Sequence, residues 1–220
     1  MTPLDALNME RTALLVIDMQ RDFLLPQGYA AQAGLDITRL RNAITPVRAV
    51  LAAARAAGVM IVHTREGHAA DLSDCPPWKR ERSRRAGAAI GSIGPLGRLL
   101  VRGQYGHDFV DELRPLQNEL VIDKPGYSAF ARTGLQHNLA ARAIESLILT
   151  GITTEVCVSS TLRDAIDRGY RCFTVGDACA STDQTLHDSA LAMIAVEGGI
   201  FGEVLSVAEL TAQLQKQITA

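Results

Sequence analysis

Three features of the sequence predict an α/β protein of three layers, α/β/α, with a doubly wound, mainly parallel sheet. Short apolar runs recur along the chain. Each is followed by a stretch whose apolar residues keep helical spacing. The runs are continuous rather than alternating, as in strands buried on both faces. The chain has 220 residues and is 47% hydrophobic. That is enough to bury a sizeable core without staples, and the length suits one domain over 1–220.

The elements follow in order. ALLVID (13–18) is the first strand candidate. Ile37, Leu40, Ile44, Val47 and Leu51 then recur at steps of three and four, which predicts a helix. Pro46 either kinks it or begins a second segment, and Gly58 stops it. VMIVHT (59–64) and NELVIDK (118–124) are the next strands. Between them, 65–117 is polar and rich in Gly and Pro, which predicts long loops. Residues 133–144 read as a helix and SLILTG (146–151) as a strand. After Cys157, a helix places Val158, Leu162, Ala165 and Ile166 on one side and ends at Gly169. YRCFTVG (170–176) is a further strand, 183–196 a helix, and VAEL opens a final helix.

Composition excludes several classes of function. The formal net charge is −2, which argues against an electrostatic role on nucleic acid or membrane. No apolar run approaches the ~18 residues of a membrane span. The start, MTPLDALNMERT, shows no basic patch followed by an apolar segment, so no export signal is expected. Cys75, Cys157, Cys172 and Cys179 form no C-x-x-C pair, and reduced thiols in a cytoplasm are the expected state. No strand leads into G-x-G-x-x-G or a P-loop, so a dinucleotide or phosphate site has little support.

In a doubly wound fold, ligands gather beyond the carboxyl ends of the strands. ALLVID ends in Asp18, ELVIDK ends in Asp123 and Lys124, and SLILTG leads through ITTEV to Cys157 at the start of a helix. The thiolate is the nucleophilic form of cysteine, and both a lysine cation and a helix N-terminus favour it. Asp18 can take the thiol proton and hand it to a leaving amine. Backbone N–H groups at the helix start can hold an oxyanion. Acyl transfer from an amide to Cys157, then hydrolysis, is the chemistry such a trio allows. Each residue alone has a plainer reading: Cys157 as core filler, Asp18 as a turn or cap residue, Lys124 as a surface charge. Their coincidence at strand ends favours the functional reading, while a non-catalytic binding module on the same sheet stays open.

DMQRDF (18–23), DKPGYSAF (123–130) and GITTEVCVSSTLRDAIDRGY (151–170) resemble the three signature blocks of the isochorismatase-like cysteine hydrolase superfamily. The resemblance implies an Asp18–Lys124–Cys157 catalytic triad, a cis peptide bond before Thr153, and an oxyanion hole from the N–H groups of Thr153 and Cys157. It implies no cofactor, and a homo-oligomer, often a tetramer. HTREGH (63–68), KRERSRR (79–85), 87–108 and EGGIFGEV (197–204) look most like the biuret hydrolase group, which releases ammonia from small linear ureides. Two positions depart from that pattern, Tyr127 and Glu197, and they are read together with Phe23 as substrate contacts. A glutamate in place of a glutamine adds an acceptor for ureide N–H groups, so triuret is the preferred substrate, with biuret next. The tyrosine of KPGYSAF hints instead at ureidoacrylate or another carbamoyl acid. Vinyl-ether hydrolysis by true isochorismatases, which lack the nucleophile, fits less well.

Nicotinamidases of the same superfamily carry a metal on the loop after the second strand. Only His68 fits here, with Glu66 where an Asp would stand, so no metal is expected. KRERSRR, with five basic residues in seven, is read as a solvated loop or subunit contact. Cys75, Cys172 and Cys179 are read as packing.

Overall fold

The computed structural model describes residues 7–218. The export-signal reading therefore rests partly on residues outside the described ones. Strand β1 (Thr12–Ile17) is followed by four helices: α1 (Arg21–Leu24), α2 (Tyr29–Gln32), α3 (Ile37–Arg41) and α4 (Ile44–Ala56). Pro46 lies in the first turn of α4, so it begins a second segment instead of kinking one long helix. Then come β2 (Met60–Glu66), α5 (Pro77–Arg85), a small hairpin of β3 (Ile93–Gly94) and β4 (Gly97–Arg98), β5 (Leu120–Lys124) and α6 (Leu135–Ala141). The chain closes with β6 (Ser146–Ile152), α7 (Ser159–Asp167), β7 (Arg171–Ala180), α8 (Gln184–Ile194), α9 (Val196–Gly199), β8 (Glu203–Leu205) and α10 (Val207–Ile218). No described helix is long and apolar enough to cross a membrane.

The main sheet has six strands in the order β5-β2-β1-β6-β7-β8, every neighbouring pair parallel. β1 is buried along its whole length, which is why its sequence is continuously apolar. Its side chains still alternate between layers. Leu14 and Val16 enter a core with Val47 and Leu51 of α4 and Leu210 and Leu214 of α10. Ala13, Leu15 and Ile17 enter a second core with Leu139 of α6 and Leu162 and Ala165 of α7. Each fully buried Leu or Ile contributes roughly 1.5–3 kcal/mol, and the two layers together clamp the sheet.

Two expectations are corrected. The segment after β2 is not merely loops: it holds α5 and the β3–β4 hairpin, both lacking the long apolar periodicity that marks a helix or strand in sequence. Strand β8, three residues long, is also missing from the sequence reading, because so short a run carries no periodicity.

From β1 the sheet grows in both directions, to β2 on one side and β6 on the other. The crevice at this switch is where a ligand site belongs. Gly151 sits at that point with φ +111°, and a Cβ there would collide with the Ile17 carbonyl oxygen of β1. Gly151→Ala should therefore cost about 3 kcal/mol and lower Tm by roughly 6–12 °C for a chain of this size, as measured by calorimetry; an unchanged Tm would refute the close approach.

Candidate active site

Four adjacent strands, β5, β2, β1 and β6, end at one rim, and each delivers one side chain there: Lys124, Glu66, Asp18 and Cys157. Asp18 follows β1 with φ +54°, a left-handed conformation that Asp tolerates better than most residues. Its backbone N–H donates to Thr64 of β2 at 3.2 Å, and the Thr64 hydroxyl donates to Asp18 Oδ1 at 2.6 Å. The carboxylate is thus aimed by the neighbouring strand. Lys124 Nζ lies 2.7 Å from Asp18 Oδ2 and 3.9 Å from Glu66 Oε2, and donates to the Gly126 carbonyl at 3.1 Å. Cys157 Sγ is 3.5 Å from Glu66 Oε2. The donor atoms of Asp18, Glu66 and Cys157 lie within 4.8 Å of one another.

Cys157 rides on a wide π-helical turn, Thr154–Val158, which leads into α7. Val156 and Val158 both donate to the Thr153 carbonyl at 3.2 Å. The Ile152–Thr153 peptide is cis, as the resemblance implies. The Thr154 hydroxyl hydrogen-bonds His187 Nδ1 of α8 at 2.8 Å, tying the turn to the next helix.

Burial dominates the electrostatics. Asp18 and Lys124 are fully buried, and Glu66 is nearly so. Burial alone would pull the Lys124 ammonium down, but Asp18, Cys157 and Glu66 around it push its pKa up overall. Burial would lift Glu66, yet Lys124 and Lys79 hold it below the ordinary glutamate value. Burial raises Asp18, with Lys124 opposing and Glu66 assisting. Both partners of the 2.7 Å pair therefore shift upward. The reason is that burial, the largest cause on Asp18, outweighs its one lysine, whereas Lys124 is raised by Asp18, Cys157 and Glu66 together.

Cys157 overturns one expectation. Lys124 does favour its thiolate, but burial first, then Asp18 and Glu66, push the thiol well above its ordinary value. The sulfur is held as a protonated thiol beside proton acceptors. Asp18 Oδ2 is ion-paired with Lys124 at 2.7 Å, and its carboxylate lies in the same cluster as the sulfur, within reach of that proton.

The cavity over this cluster measures about 180 Å³, and its lining includes Glu66, Cys157, Thr153, Phe23 and Tyr127. Phe23 and Tyr127, read as substrate contacts, are thus brought to the nucleophile. Glu197 is not. It is exposed, with φ +51°, in the short α9 that follows α8, and does not line the cavity. Within this chain Glu197 is a turn residue beside Gly198 and Gly199.

Two residues of KRERSRR are also reassigned. The run forms α5, and Lys79 is buried, donating to Glu66 Oε1 at 2.6 Å and to the Pro125 carbonyl at 2.9 Å. Arg82, one turn on, lines the cavity, with Nη2 3.4 Å from the Tyr29 hydroxyl. The signal available in sequence was spacing: 79 and 82 share a helix face behind Pro77 at the helix start. His68, considered as a metal ligand, is buried with Nδ1 3.1 Å from Asp74 and is not part of the Asp18–Glu66–Cys157 group. That three-donor group faces the ammoniums of Lys124 and Lys79, which already balance its carboxylates.

A buried thiol set among acid and amine groups at the carboxyl ends of parallel strands defines a cysteine hydrolase of the three-layer α/β class. The chain belongs to the isochorismatase family: the model of the Isochorismatase domain matches residues 12–209. It is 34% identical over 215 residues to the ureidoacrylate amidohydrolase RutB of Methylorubrum extorquens, covering 95% of this chain and 85% of that protein. Among solved structures, it resembles a cysteine hydrolase from Pseudomonas syringae pv. phaseolicola 1448A, with TM-score 0.82 and 28% identity over 96% of this chain and 95% of the other. It also resembles N-carbamoylsarcosine amidase from Thermoplasma acidophilum, with TM-score 0.67 and 26% identity over 90% and 96%.

A thiol whose pKa is raised this way has a thiolate fraction still rising at alkaline pH. Alkylation of Cys157 by iodoacetamide should climb through pH 9 without a plateau, and Glu66→Gln, by removing a competing carboxylate, should shift the curve to lower pH. A plateau near neutrality in the native protein would contradict this electrostatic balance.

Proposed function

We propose that this protein is a cysteine-dependent amidohydrolase of a carbamoyl or ureido acid, a substrate with a terminal ureido group at one end and a carboxylate at the other. The observation that carries the reading is Arg82. A guanidinium lines the same cavity as the nucleophile, and Arg matches carboxylate geometry with paired hydrogen bonds. The named relatives, a ureidoacrylate amidohydrolase and an N-carbamoylsarcosine amidase, support this class. Triuret and biuret fit less well. They carry no carboxylate, and the preference for triuret rests on Glu197, which this chain does not bring to the cavity.

In the proposed mechanism, Cys157 Sγ attacks the ureido carbonyl as its proton passes to Asp18. Backbone N–H groups of Thr153 and Cys157 receive the oxyanion, a contribution of about 3 kcal/mol per donor in such sites. The C–N bond breaks, the nitrogen leaves with the proton from Asp18, and an S-acyl adduct remains. Water then attacks the adduct, gives a proton to Asp18, and the sulfur recovers it. Lys124 stays charged throughout and holds Asp18 in place. Whichever C–N bond breaks first, the carbamate product decomposes, so ammonia is the product to measure.

Ammonia release from ureidoacrylate and N-carbamoyl amino acids should exceed that from biuret and triuret, and Cys157→Ala should reduce it by about 10³-fold or more. Arg82→Ala should raise KM for the acids roughly 10-fold to 100-fold, the value of a charge-assisted pair, and leave biuret kinetics unmoved. A preference for triuret that is indifferent to Arg82 would sink the carboxylate reading.

The pH dependence follows from Asp18. It must be ionised to accept the thiol proton, and its pKa lies above the ordinary aspartate value. The acid limb of kcat/KM should therefore fall at a pH above 3.8, as a rate profile over pH 3–9 would register.

A further inference from the structure

Resting on the carbamoyl-acid reading, we infer that the substrate carries an apolar side chain. The cavity has two kinds of wall. Its polar groups gather at the strand ends and on α5: Glu66, Cys157, Tyr127 and Arg82. Tyr29 and Thr153 add polar atoms, and most of the remaining wall is hydrocarbon, supplied by Phe23, Ala33, Leu35, Leu40, Ile152 and Val156. Leu35 and Val156 remain 41% and 36% exposed, so the apolar wall is open to solvent and a ligand side chain laid on it would bury hydrocarbon.

A wholly polar ligand does not suit this wall. Triuret and biuret present amide N–H and C=O groups along their whole length, and groups laid against hydrocarbon would lose water without gaining partners. Ureidoacrylate has little to fill the arm. An N-carbamoyl amino acid with an aliphatic or aromatic side chain matches every part. Its ureido carbonyl meets Cys157, its carboxylate meets Arg82, and its side chain covers the α2–α3 wall. The apolar wall, Arg82 and the nucleophile line one cavity, so a single molecule can meet all three. The chemistry is unchanged: the C–N bond of the ureido group breaks and its nitrogen takes the proton held on Asp18.

The test is a homologous series with one head and a growing tail: the N-carbamoyl derivatives of glycine, alanine, 2-aminobutyrate, norvaline and leucine, with ureidoacrylate and biuret alongside. Each buried methylene is worth a factor of about four. The specificity constant should therefore rise tenfold or more from the glycine to the norvaline derivative, through KM more than kcat. Ala33→Leu, which fills the arm, should compress the leucine-to-glycine ratio by about tenfold. Kd values for the same series on Cys157→Ser protein, by calorimetry, measure the same preference without turnover.

A flat or falling series, with ureidoacrylate or the glycine derivative still hydrolysed, overturns the apolar arm and leaves the carbamoyl-acid reading standing. Hydrolysis of biuret with none of the acids cleaved or bound overturns both. A flat series in which Ala33→Leu changes the sedimentation mass gives the apolar rim to a second copy of the chain and rejects the inference.

Discussion

A lysine with no exposed surface organises this molecule. Lys124 is among the largest fully buried side chains, and a buried ammonium costs several kcal/mol unless it is paired. Asp18 and Glu66 supply the pairing, and Glu66 in turn requires Lys79. Two ammoniums and two carboxylates then cancel, leaving the Cys157 thiol as the neutral fifth member. A thiolate would break that neutrality. A proton passed from the sulfur to a carboxylate of the cluster, as proposed for Asp18, would keep the total charge constant. The electrostatics favour a thiol over a pre-formed thiolate, as the proposed coupling of proton transfer to attack requires.

The sheet makes such a cluster possible. Parallel strands put their carboxyl ends on one side, and the order β5-β2-β1-β6 sets four of those ends in a row. One residue from each end meets its neighbours across the roughly 5 Å spacing of adjacent strands. The glycine at position 151 lets β6 pass close to β1 at the switch, and the Thr64 hydroxyl on β2 orients the acid on β1. Positions along the strands are held by apolar layers on both faces, so the geometry of the cluster is carried by the core rather than by loops.

That division explains what is legible in the sequence. The strands are continuous apolar runs, and Asp18, Lys124 and Cys157 announce themselves by ending or following such runs. Glu66 also ends one, but TRE follows the apolar stretch without a break in polarity, so it reads as a loop carboxylate. Lys79 is hidden for a different reason. In KRERSRR the charges mask a helix whose one buried face carries only Lys79 and Ser83; an apolar-periodicity reading cannot see a face buried through an ion pair. Glu197 shows the converse: similarity of a local string to a ureide enzyme says nothing about whether the turn reaches the cavity of its own chain, and here it does not line it.

The same division separates chemistry from selectivity. The groups proposed to break the C–N bond sit at strand ends, where a shift of even 1 Å would disturb neighbours packed on both faces. The groups facing the rest of the cavity sit on α1, α2, α3 and α5, of which the first three are helices of four or five residues. Each short helix buries one or two side chains in the cores, Leu24, Ala30 and Leu40 among them, and is also held by individual ties such as the Leu100 N–H donating to Asp22 Oδ2 at 2.9 Å. Substitutions at Phe23, Ala33 or Leu35 can reshape the ligand wall without reaching the ion pairs beneath it. A family built this way can retain one nucleophilic cluster while its members differ in what the wall accepts. The wall, not the cluster, is then where the proposed selectivity among carbamoyl acids would reside.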